Sequence, residues 1–185
     1  MSIVLVGATS GSVTLQEPAV AGTTVLTLPA VTGNVLTDTS PKAGNVIQVV
    51  SATTSTEVTS SSSTFVDTGL SVSITPTRSS SKILVLVSQN GLGKSSANVD
   101  NCVDLRLFRG ATSILSPNLA GCMSQTNGLN TLNVTSASIS YLDSPATTSS
   151  TTYKTQFCSR NGAASVTVQF AGASTSTITL LEIAA

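Results

Sequence analysis

Histidine and tryptophan are both absent from this 185-residue chain, and charged side chains are scarce. Charged residues make up 9% of the sequence, where about 25% is usual. Without histidine, the chain lacks the most common general base and metal ligand. The eight basic residues are scattered, whereas nucleic-acid binding normally needs clustered lysines and arginines. The composition therefore predicts no catalytic, metal or cofactor site and no nucleic-acid partner.

Motifs typical of enzymes are missing as well. There is no Gly-x-Ser-x-Gly nucleophile turn, and the eight carboxylates lie singly along the chain. Gly91–Ser96 ends like a phosphate-binding loop, but it lacks the first glycine of that motif and a following helix. We interpret it as a surface loop. Two carboxylates could still converge in the fold, as glycosidases require, so a glycan depolymerase remains the least favoured functional alternative.

Only three cysteines are present: Cys102, Cys122 and Cys158. Their odd number and wide spacing match neither a disulfide framework nor a metal motif. We expect reduced thiols that pack as small apolar side chains, and one bridge with one remaining thiol is the alternative.

Long apolar runs are lacking too. No segment approaches the roughly 18–20 apolar residues of a membrane span. The N-terminus has no basic residue before its short apolar run, which is unlike a signal peptide. We therefore expect no membrane insertion and assembly in a cytoplasm.

Serine and threonine, by contrast, supply about a third of the residues. Valine, isoleucine and threonine dominate the patterned segments, and these residues favour strands. No segment shows a sustained helical period. The predicted fold class is all-β.

An eleven-residue repeat occupies residues 11–44. Glycine returns at Gly11, Gly22, Gly33 and Gly44. Between the first two units, Leu15 matches Leu26, Pro18 matches Pro29, Ala19 matches Ala30 and Val20 matches Val31. Repeat units of this kind cannot bury an apolar face alone, so we expect copies of the chain to wind together as a short shaft. The alternative, a flexible linker, would be richer in serine, glycine and charge and poorer in leucine and valine.

The repeat and the segment before it supply two predicted contact sets. The predicted oligomer core of the shaft consists of Val13, Leu15, Val20, Val25, Leu26, Leu28 and Val31. Residues 1–10 are a predicted anchor that docks on a partner protein through Ile3, Val4, Leu5 and Val6. The alternative for this apolar run is a first strand of the shaft.

From Asn45 to Ala185 the pattern predicts about eight to ten strands, as in a sandwich or jelly roll. Leu70–Ile74 alternates like a half-buried strand, and the unbroken apolar run Ile83–Val87 is typical of a central strand. The other predicted strands are Val46–Val50, Cys102–Phe108, Thr112–Leu115, Leu132–Leu142, Thr152–Cys158, Val166–Phe170 and Thr177–Ile183. Phe108, Phe157 and Phe170 are predicted to be among the largest core side chains.

Two polar segments, Gln89–Asn101 and Ser116–Asn130, are predicted to be long loops. Within them, Gln89–Asn101 and Ser124–Asn130 carry amide and hydroxyl groups that suit hydrogen bonding to sugars, so these two stretches are the candidate receptor loops. The candidate contacts are Gln89, Asn90, Asn98, Asn101, Gln125, Asn127 and Asn130. The alternative is that both segments are plain solvated connections.

Several stretches resemble one family of proteins. VTLQEPAVAGTTVLTLPAVTG is similar to a segment of tail-fibre and fibre-like virion proteins of tailed bacteriophages. The stretches KILVLVSQNG, VDLRLFRG, SISYLDSPATTSSTTYKTQF and ITLLEIAA resemble the head domain of the same proteins, which is similar to the jelly roll of C1q and tumour-necrosis factor. The resemblance implies a homotrimer with a β-spiral type of shaft at residues 11–44 and a jelly-roll head at residues 45–185.

The resemblance also implies a virion component, assembled in the cytoplasm of a bacterial host. The first functional hypothesis is a tail fibre that attaches the virion to a glycan or protein on the host surface. The alternative is a head fibre or cement protein that decorates the capsid or tail without binding a receptor. Both hypotheses need contacts with other virion proteins, and neither needs an enzyme activity. Long fibres carry an extra N-terminal adaptor domain, and the small size of residues 1–10 leaves the tail or capsid attachment open.

Overall fold

A computed structural model of the chain describes residues 2–16, 30, 41–94, 101–116, 121–123, 134–162 and 164–185. The backbone divides into two compact units, residues 1–35 and 36–185. Each unit is described by itself below.

The first unit contains a β-hairpin. Strands β1 (Ser2–Val6) and β2 (Ser12–Gln16) are antiparallel, with Ser2 opposite Gln16 and Val6 opposite Ser12. The apolar run that was a predicted anchor is therefore paired with a strand inside the first repeat unit. Gly11 opens that unit with φ of 79°, a backbone conformation that side chains with a Cβ resist.

The described residues of the second unit form eleven strands and one short 3₁₀ turn. They are β3 (Val46–Thr54), β4 (Val58–Ser60), β5 (Val66–Ile74), β6 (Lys82–Lys94), β7 (Asn101–Arg109), β8 (Thr112–Leu115), β9 (Gly121–Met123), β10 (Thr135–Asp143), β11 (Thr151–Ser159), β12 (Val166–Val168), the turn Phe170–Gly172 and β13 (Ser176–Ile183).

These strands form two antiparallel sheets. In sheet A the order is β3-β13-β6, with β10 and β12 both paired to β6 and β4 paired to β12. In sheet B the order is β5-β11-β7-β8, with β9 also paired to β7. The eight longer strands thus divide as β3-β13-β6-β10 and β5-β11-β7-β8, which is a jelly-roll arrangement of two sheets. The predicted all-β jelly-roll sandwich is confirmed.

The core lies between the two sheets, and alternation along the strands fills it. Ile83, Val85 and Val87 face it from β6, while Leu105 and Leu107 face it from β7. The largest fully buried apolar side chains are Leu70, Ile74, Ile83, Leu92, Leu105, Leu107, Tyr153, Phe157, Ile178 and Leu180. Each contributes on the order of 1.5–3 kcal/mol by leaving water.

The two ends of the sandwich differ in what they hold. At one end, here called the base, the N–H of Gly44 donates to Ala184 O (2.8 Å) and the N–H of Ala184 donates to Asn45 O (2.9 Å). The chain therefore enters the sandwich beside its last strand. At the opposite end, here called the tip, β6 ends at Lys94 and β7 begins at Asn101.

Four predictions from the sequence are wrong. Residues 89–94 continue β6 instead of beginning a loop, because Gln89 faces the core and finds polar partners there. Phe108 alternates with Leu105 and Leu107 and so lies on the outer side of β7, half-buried. Phe170 lies beyond the end of β12 in the 3₁₀ turn. The loop predicted after Ser116 also contains a short strand, β9.

Candidate oligomer interface

An apolar row crosses the outer face of sheet A near the base. Leu181 on β13 lies opposite Val49 on β3 and opposite Leu84 on β6, and Leu84 lies opposite Leu142 on β10. Val49 is 58% exposed and Leu142 is 51% exposed, while Leu84 and Leu181 are half-buried. Four aligned aliphatic side chains on the water side of a sheet form a contiguous patch, and such patches mark contact sites more often than ordinary surface.

Above this row, the outer face of sheet A becomes a field of hydroxyl groups. Leu86 is flanked by Thr179 on β13 and Ser140 on β10, and the next row pairs Ser88 with Thr177 and Ser138. A shallow depression of about 380 Å³ lies among these side chains. Within the described part of β3, β13, β6 and β10, alternation places a single charged side chain on this face, Lys82 at the base margin.

The outer face of sheet B has the opposite character. Lys154 Nζ lies 2.9 Å from the Asp67 carboxylate, and Gln156 Nε2 donates to the same carboxylate at 2.7 Å. Partial burial raises the pKa of Asp67, but the hydrogen bonds from Lys154 and Gln156 outweigh it and leave that pKa lowered. Arg160 pairs with Asp104 at 2.9 Å. The Lys154–Asp67 pair, in which the Asp67 side chain is 55% exposed, is typical of a surface that remains in water.

A guanidinium stacked on a ring continues this polar surface. The Arg106 guanidinium carbon lies 3.5 Å from the centre of the Phe65 ring. Asp104 and Arg106 are both half-buried on the outer side of β7, where Asp104 pairs with Arg160 and Arg106 stacks on Phe65. The two faces of the sandwich therefore contrast: sheet B carries its own charge partners, and sheet A offers aliphatic and hydroxyl groups.

Two buried carboxylates occupy the inner side of the base. Glu182 on β13 and Asp143 on β10 both lie opposite Ile83, one on each side of β6. Glu182 accepts from the Thr77 N–H (2.7 Å) and hydroxyl (2.8 Å). Glu182 is fully buried, and its contacts with Thr77 fix the loop between β5 and β6.

Asp143 ties the two sheets together. Its carboxylate receives Arg109 Nη1 at 2.8 Å and the Tyr153 hydroxyl at 2.6 Å, from β7 and β11 of sheet B. Burial, then the hydrogen bond to Asp143, raises the pKa of Tyr153 far above its usual range. A buried carboxylate with an arginine and a tyrosine as partners is satisfied, so this cluster acts as a clamp between the sheets.

A second polar cluster bridges the sheets nearer the tip and accounts for Gln89. Gln89 Nε2 donates to Ser176 Oγ (3.0 Å), and Thr155 Oγ1 donates to Gln89 Oε1 (3.0 Å). Thr155 Oγ1 in turn lies 2.6 Å from Thr68 Oγ1. Gln89 is fully buried, so the prediction that it is a receptor contact is wrong. Asn90 is half-buried, and its Nδ2 donates to Thr175 O at 2.6 Å.

The other predicted receptor residues flank the tip or lie outside the described residues. Asn101 begins β7 at the tip, next to Met123 of β9. Asn98, Gln125, Asn127 and Asn130 lie outside the described residues. The ends of β6, β7, β9 and β10 that border the two candidate segments all lie at the tip. Both segments are therefore bordered by strand ends at the end of the sandwich opposite Gly44, although the first of them begins inside β6.

The predicted shaft and anchor residues are described only in the hairpin. Val4, Leu5 and Val6 are 54–79% exposed on β1, and Val13 on β2 is 61% exposed. Leu5 lies opposite Val13, and Ile3 is the register partner of Leu15. Val20, Val25, Leu26, Leu28 and Val31 lie outside the described residues. A lone two-stranded hairpin is marginal in water, so these exposed side chains suit a further contact.

Sequence reasoning did not select the side chains on the outer face of sheet A. They are Val49, Leu84, Leu86, Leu142 and Leu181. A signal was nevertheless present, because the unbroken run Ile83–Val87 indicates a strand that is covered on both faces. The core covers Ile83, Val85 and Val87. Leu84 and Leu86 lie on the opposite side of β6 and need a further partner if that side is to be covered as well.

Across the described ranges, no three histidine, cysteine or acidic side chains are grouped so as to hold a metal ion. In the same part of the chain, no helix is long and apolar enough to cross a bilayer.

No protein-family model matches the chain, and no curated protein matches it. It is similar to the crystal structure of the infectious bursal disease virus VP2 subviral particle, with a TM-score of 0.40 and 14% identity over 85% of this chain and 42% of that one. The structure of the infectious bursal disease virus Gt strain gives a TM-score of 0.38 and 14% identity, over 97% of this chain and 46% of that one. The structure of T=1 particles derived from the virus gives a TM-score of 0.40 and 12% identity, over 94% of this chain and 43% of that one. The chain thus spans less than half the length of each of these chains.

Proposed function

We propose that this chain is a structural virion protein that assembles as a homotrimer through the outer face of sheet A. The observation that carries the proposal is the contrast between the two outer faces. Sheet A exposes a row of aliphatic side chains and a field of uncharged hydroxyls, while sheet B carries paired charges. Other copies of this chain are the partner that best fits a face with a single charge at its margin, since self-association there opposes few like charges.

The proposed geometry joins the head to the repeat. The apolar row lies at the base, where the chain enters at Gly44. Three heads packed through this row would bring their three entering chains together, as a wound shaft over residues 11–44 requires. The β1–β2 hairpin, with its exposed Leu5 and Val13, would add to the same shaft or dock on a further virion protein. The proposal of a trimer, as opposed to another oligomer, rests on the resemblance to phage fibre proteins.

The molar mass in solution tests the assembly. For the full-length protein, light scattering after size-exclusion chromatography is expected to give roughly 56 kDa, three times the chain mass of 18.6 kDa. A monomer that retains its β-rich circular dichroism would overturn the proposal. A dimer would be consistent with the proposed interface but would exclude the trimer.

Within this proposal, the trimer is a phage fibre that attaches the virion to a glycan or protein of the host surface. The candidate segments start and end at the tip, which is the end left free when the base holds the shaft. Virions that lack the protein should then adsorb more slowly to host cells, and purified trimer should compete with virions for adsorption. Undiminished adsorption by virions without the protein would exclude host attachment.

The decoration alternative gains support from one observation. Gln89 is buried and Asn90 is occupied by Thr175, which removes one predicted receptor contact and weakens another. A cement or head-fibre protein would occur in a copy number fixed by capsid symmetry, and its deletion would lower the temperature at which particles release DNA. Counting copies per particle by quantitative mass spectrometry separates the two functions.

A further inference from the structure

The three cysteines lie on neighbouring strands of sheet B. Cys102 is on β7, Cys122 is on β9 and Cys158 is on β11. In the β7–β9 ladder, Cys102 and Cys122 are direct Cα partners, between the pairs Asn101–Met123 and Val103–Gly121. From their spacing in the sequence, a bridge between any two of them was only an open alternative.

The ladder position meets the backbone requirement for a disulfide. Directly opposed residues of an antiparallel pair have Cα atoms about 4.5 or 5.5 Å apart, depending on the hydrogen-bonding site. Disulfides in proteins join Cα atoms about 4.4–6.8 Å apart. Both possible registers therefore give Cα separations within the range of a disulfide.

Cys158 is less well placed to form a bridge. Its partner across β7 is Asp104, two residues from Cys102, so Cys158 and Cys102 are diagonal neighbours. Diagonal neighbours are about 7–8 Å apart, beyond the reach of an unstrained disulfide. Cys102 and Cys158 are both buried. At Cys158, burial, followed by the nearby Asp104 carboxylate, raises the pKa of the thiol, which leaves less of the reactive thiolate.

We propose that Cys102 and Cys122 form a cross-strand disulfide once the protein meets an oxidising solution, while Cys158 stays a thiol. The oxidant is a small-molecule disulfide. A thiolate of one cysteine attacks it and releases one small thiol; the second thiolate then attacks the mixed disulfide, forms the Cys102–Cys122 bond and releases the second small thiol. Two protein protons and two electrons leave in these steps, and the oxidant is reduced to two thiols.

The bond would fix the shortest described strand of sheet B. β9 has three residues and three ladder pairs, all with β7. The candidate receptor segment begins at Ser124, directly after it. A bridge at Cys122 holds the start of that segment against β7 and closes a loop of about twenty residues, which restricts the unfolded chain. The timing, after release from a reducing cytoplasm, rests on the proposed function, but the geometry does not.

Peptide mapping of the purified full-length protein tests the proposal. The protein is incubated with glutathione disulfide, its remaining thiols are blocked with N-ethylmaleimide under denaturing conditions, and it is digested without reductant. The expected product is a cross-linked pair of peptides that contain Cys102 and Cys122, about 2 Da lighter than the two thiol peptides, together with an alkylated Cys158.

Matched variants separate this bridge from other oxidation. Cys158→Ser should form the same cross-link, while Cys102→Ser and Cys122→Ser should not. The oxidised wild type should also melt at a higher temperature than the reduced protein, a difference that Cys122→Ser abolishes. Three alkylated cysteines after saturating treatment, glutathione adducts alone, or a bridge that includes Cys158 would each overturn the proposal. None of these results depends on whether the protein is a trimer or binds a host.

Discussion

Leu142 lies directly opposite Leu84 on the outer face of sheet A, yet about half of Leu142 (51%) is exposed. Cross-strand aliphatic pairs stabilise a sheet when both members are covered. Here the sheet covers only one side of the pair, and the other side is available to a second copy of the chain.

Replacing Leu142 with serine should weaken association without unfolding the head. Burying a leucine fully is worth about 1.5–3 kcal/mol per subunit, so the half that an interface would cover is expected to contribute about 1 kcal/mol per subunit. The midpoint of dissociation on dilution, followed by light scattering, should move to a higher protein concentration. An unchanged midpoint would place the interface elsewhere.

A new charge should distinguish the two faces. Ser140 on β10 is exposed on the outer face of sheet A, and Ser73 on β5 is exposed on the outer face of sheet B. Ser140→Lys would bring lysines into a face that lacks acidic partners, where an unpaired buried charge is strongly destabilising. We expect a monomer from Ser140→Lys and an unchanged assembly from Ser73→Lys, both measured as molar mass. If both variants assemble normally, the outer face of sheet A is not the contact.

The clamp at the base should make stability depend on alkaline pH. Burial and the hydrogen bond to Asp143 raise the pKa of Tyr153 in the folded protein, whereas a tyrosine in an unfolded chain titrates near pH 10. The folded state therefore holds this proton more tightly, so the stability it provides is complete below about pH 10. Above that pH the unfolded chain loses its proton first, and the stability declines.

Tyr153→Phe should lower the free energy of unfolding at pH 7 by about 1.5–3 kcal/mol, because a hydrogen bond to a charged group is lost. The same change should reduce the further loss between pH 9 and pH 11, measured by urea unfolding. Tyr141→Phe, on the other tyrosine of the chain, serves as the control and should keep the alkaline loss. Equal alkaline losses in wild type and Tyr153→Phe would contradict the role of the clamp.

The sequence was sufficient to predict the sandwich fold, but it was not sufficient to predict which side chains lie together on its outer faces. Alternation in Leu70–Ile74 and the apolar run Ile83–Val87 predict strands because these patterns report burial directly. Gln89 was assigned to a loop because a polar side chain indicates a loop unless buried partners for it are known. Its partners here, Thr155 and Ser176, come from strands far along the chain. The pairing of Leu84 with Leu142 depends on register in the same way, and composition does not specify register.

Gln89 gives a direct test of its corrected position. Gln89→Leu would leave the hydroxyls of Thr155 and Ser176 buried with fewer partners, at a cost of about 1–3 kcal/mol. We therefore expect a lower urea midpoint for this variant, and no change in host adsorption that exceeds the loss of folded protein. A receptor contact would behave in the opposite way, with stability kept and adsorption lost.

Two glycines with left-handed backbones should respond differently to alanine. Gly91 on β6 has φ of 66°, and a Cβ there would lie 2.5 Å from the Phe170 backbone nitrogen; Gly110, in the turn between β7 and β8, has φ of 57° and no atom within 4 Å of its added Cβ. Gly110→Ala should cost only the backbone strain, about 1–2 kcal/mol. Gly91→Ala should cost clearly more, because the 3₁₀ turn at Phe170 must also move away from β6. Urea unfolding of both variants measures the difference. Equal losses in the free energy of unfolding would mean that the 3₁₀ turn can move at no free-energy cost and does not restrain the tip end of β6.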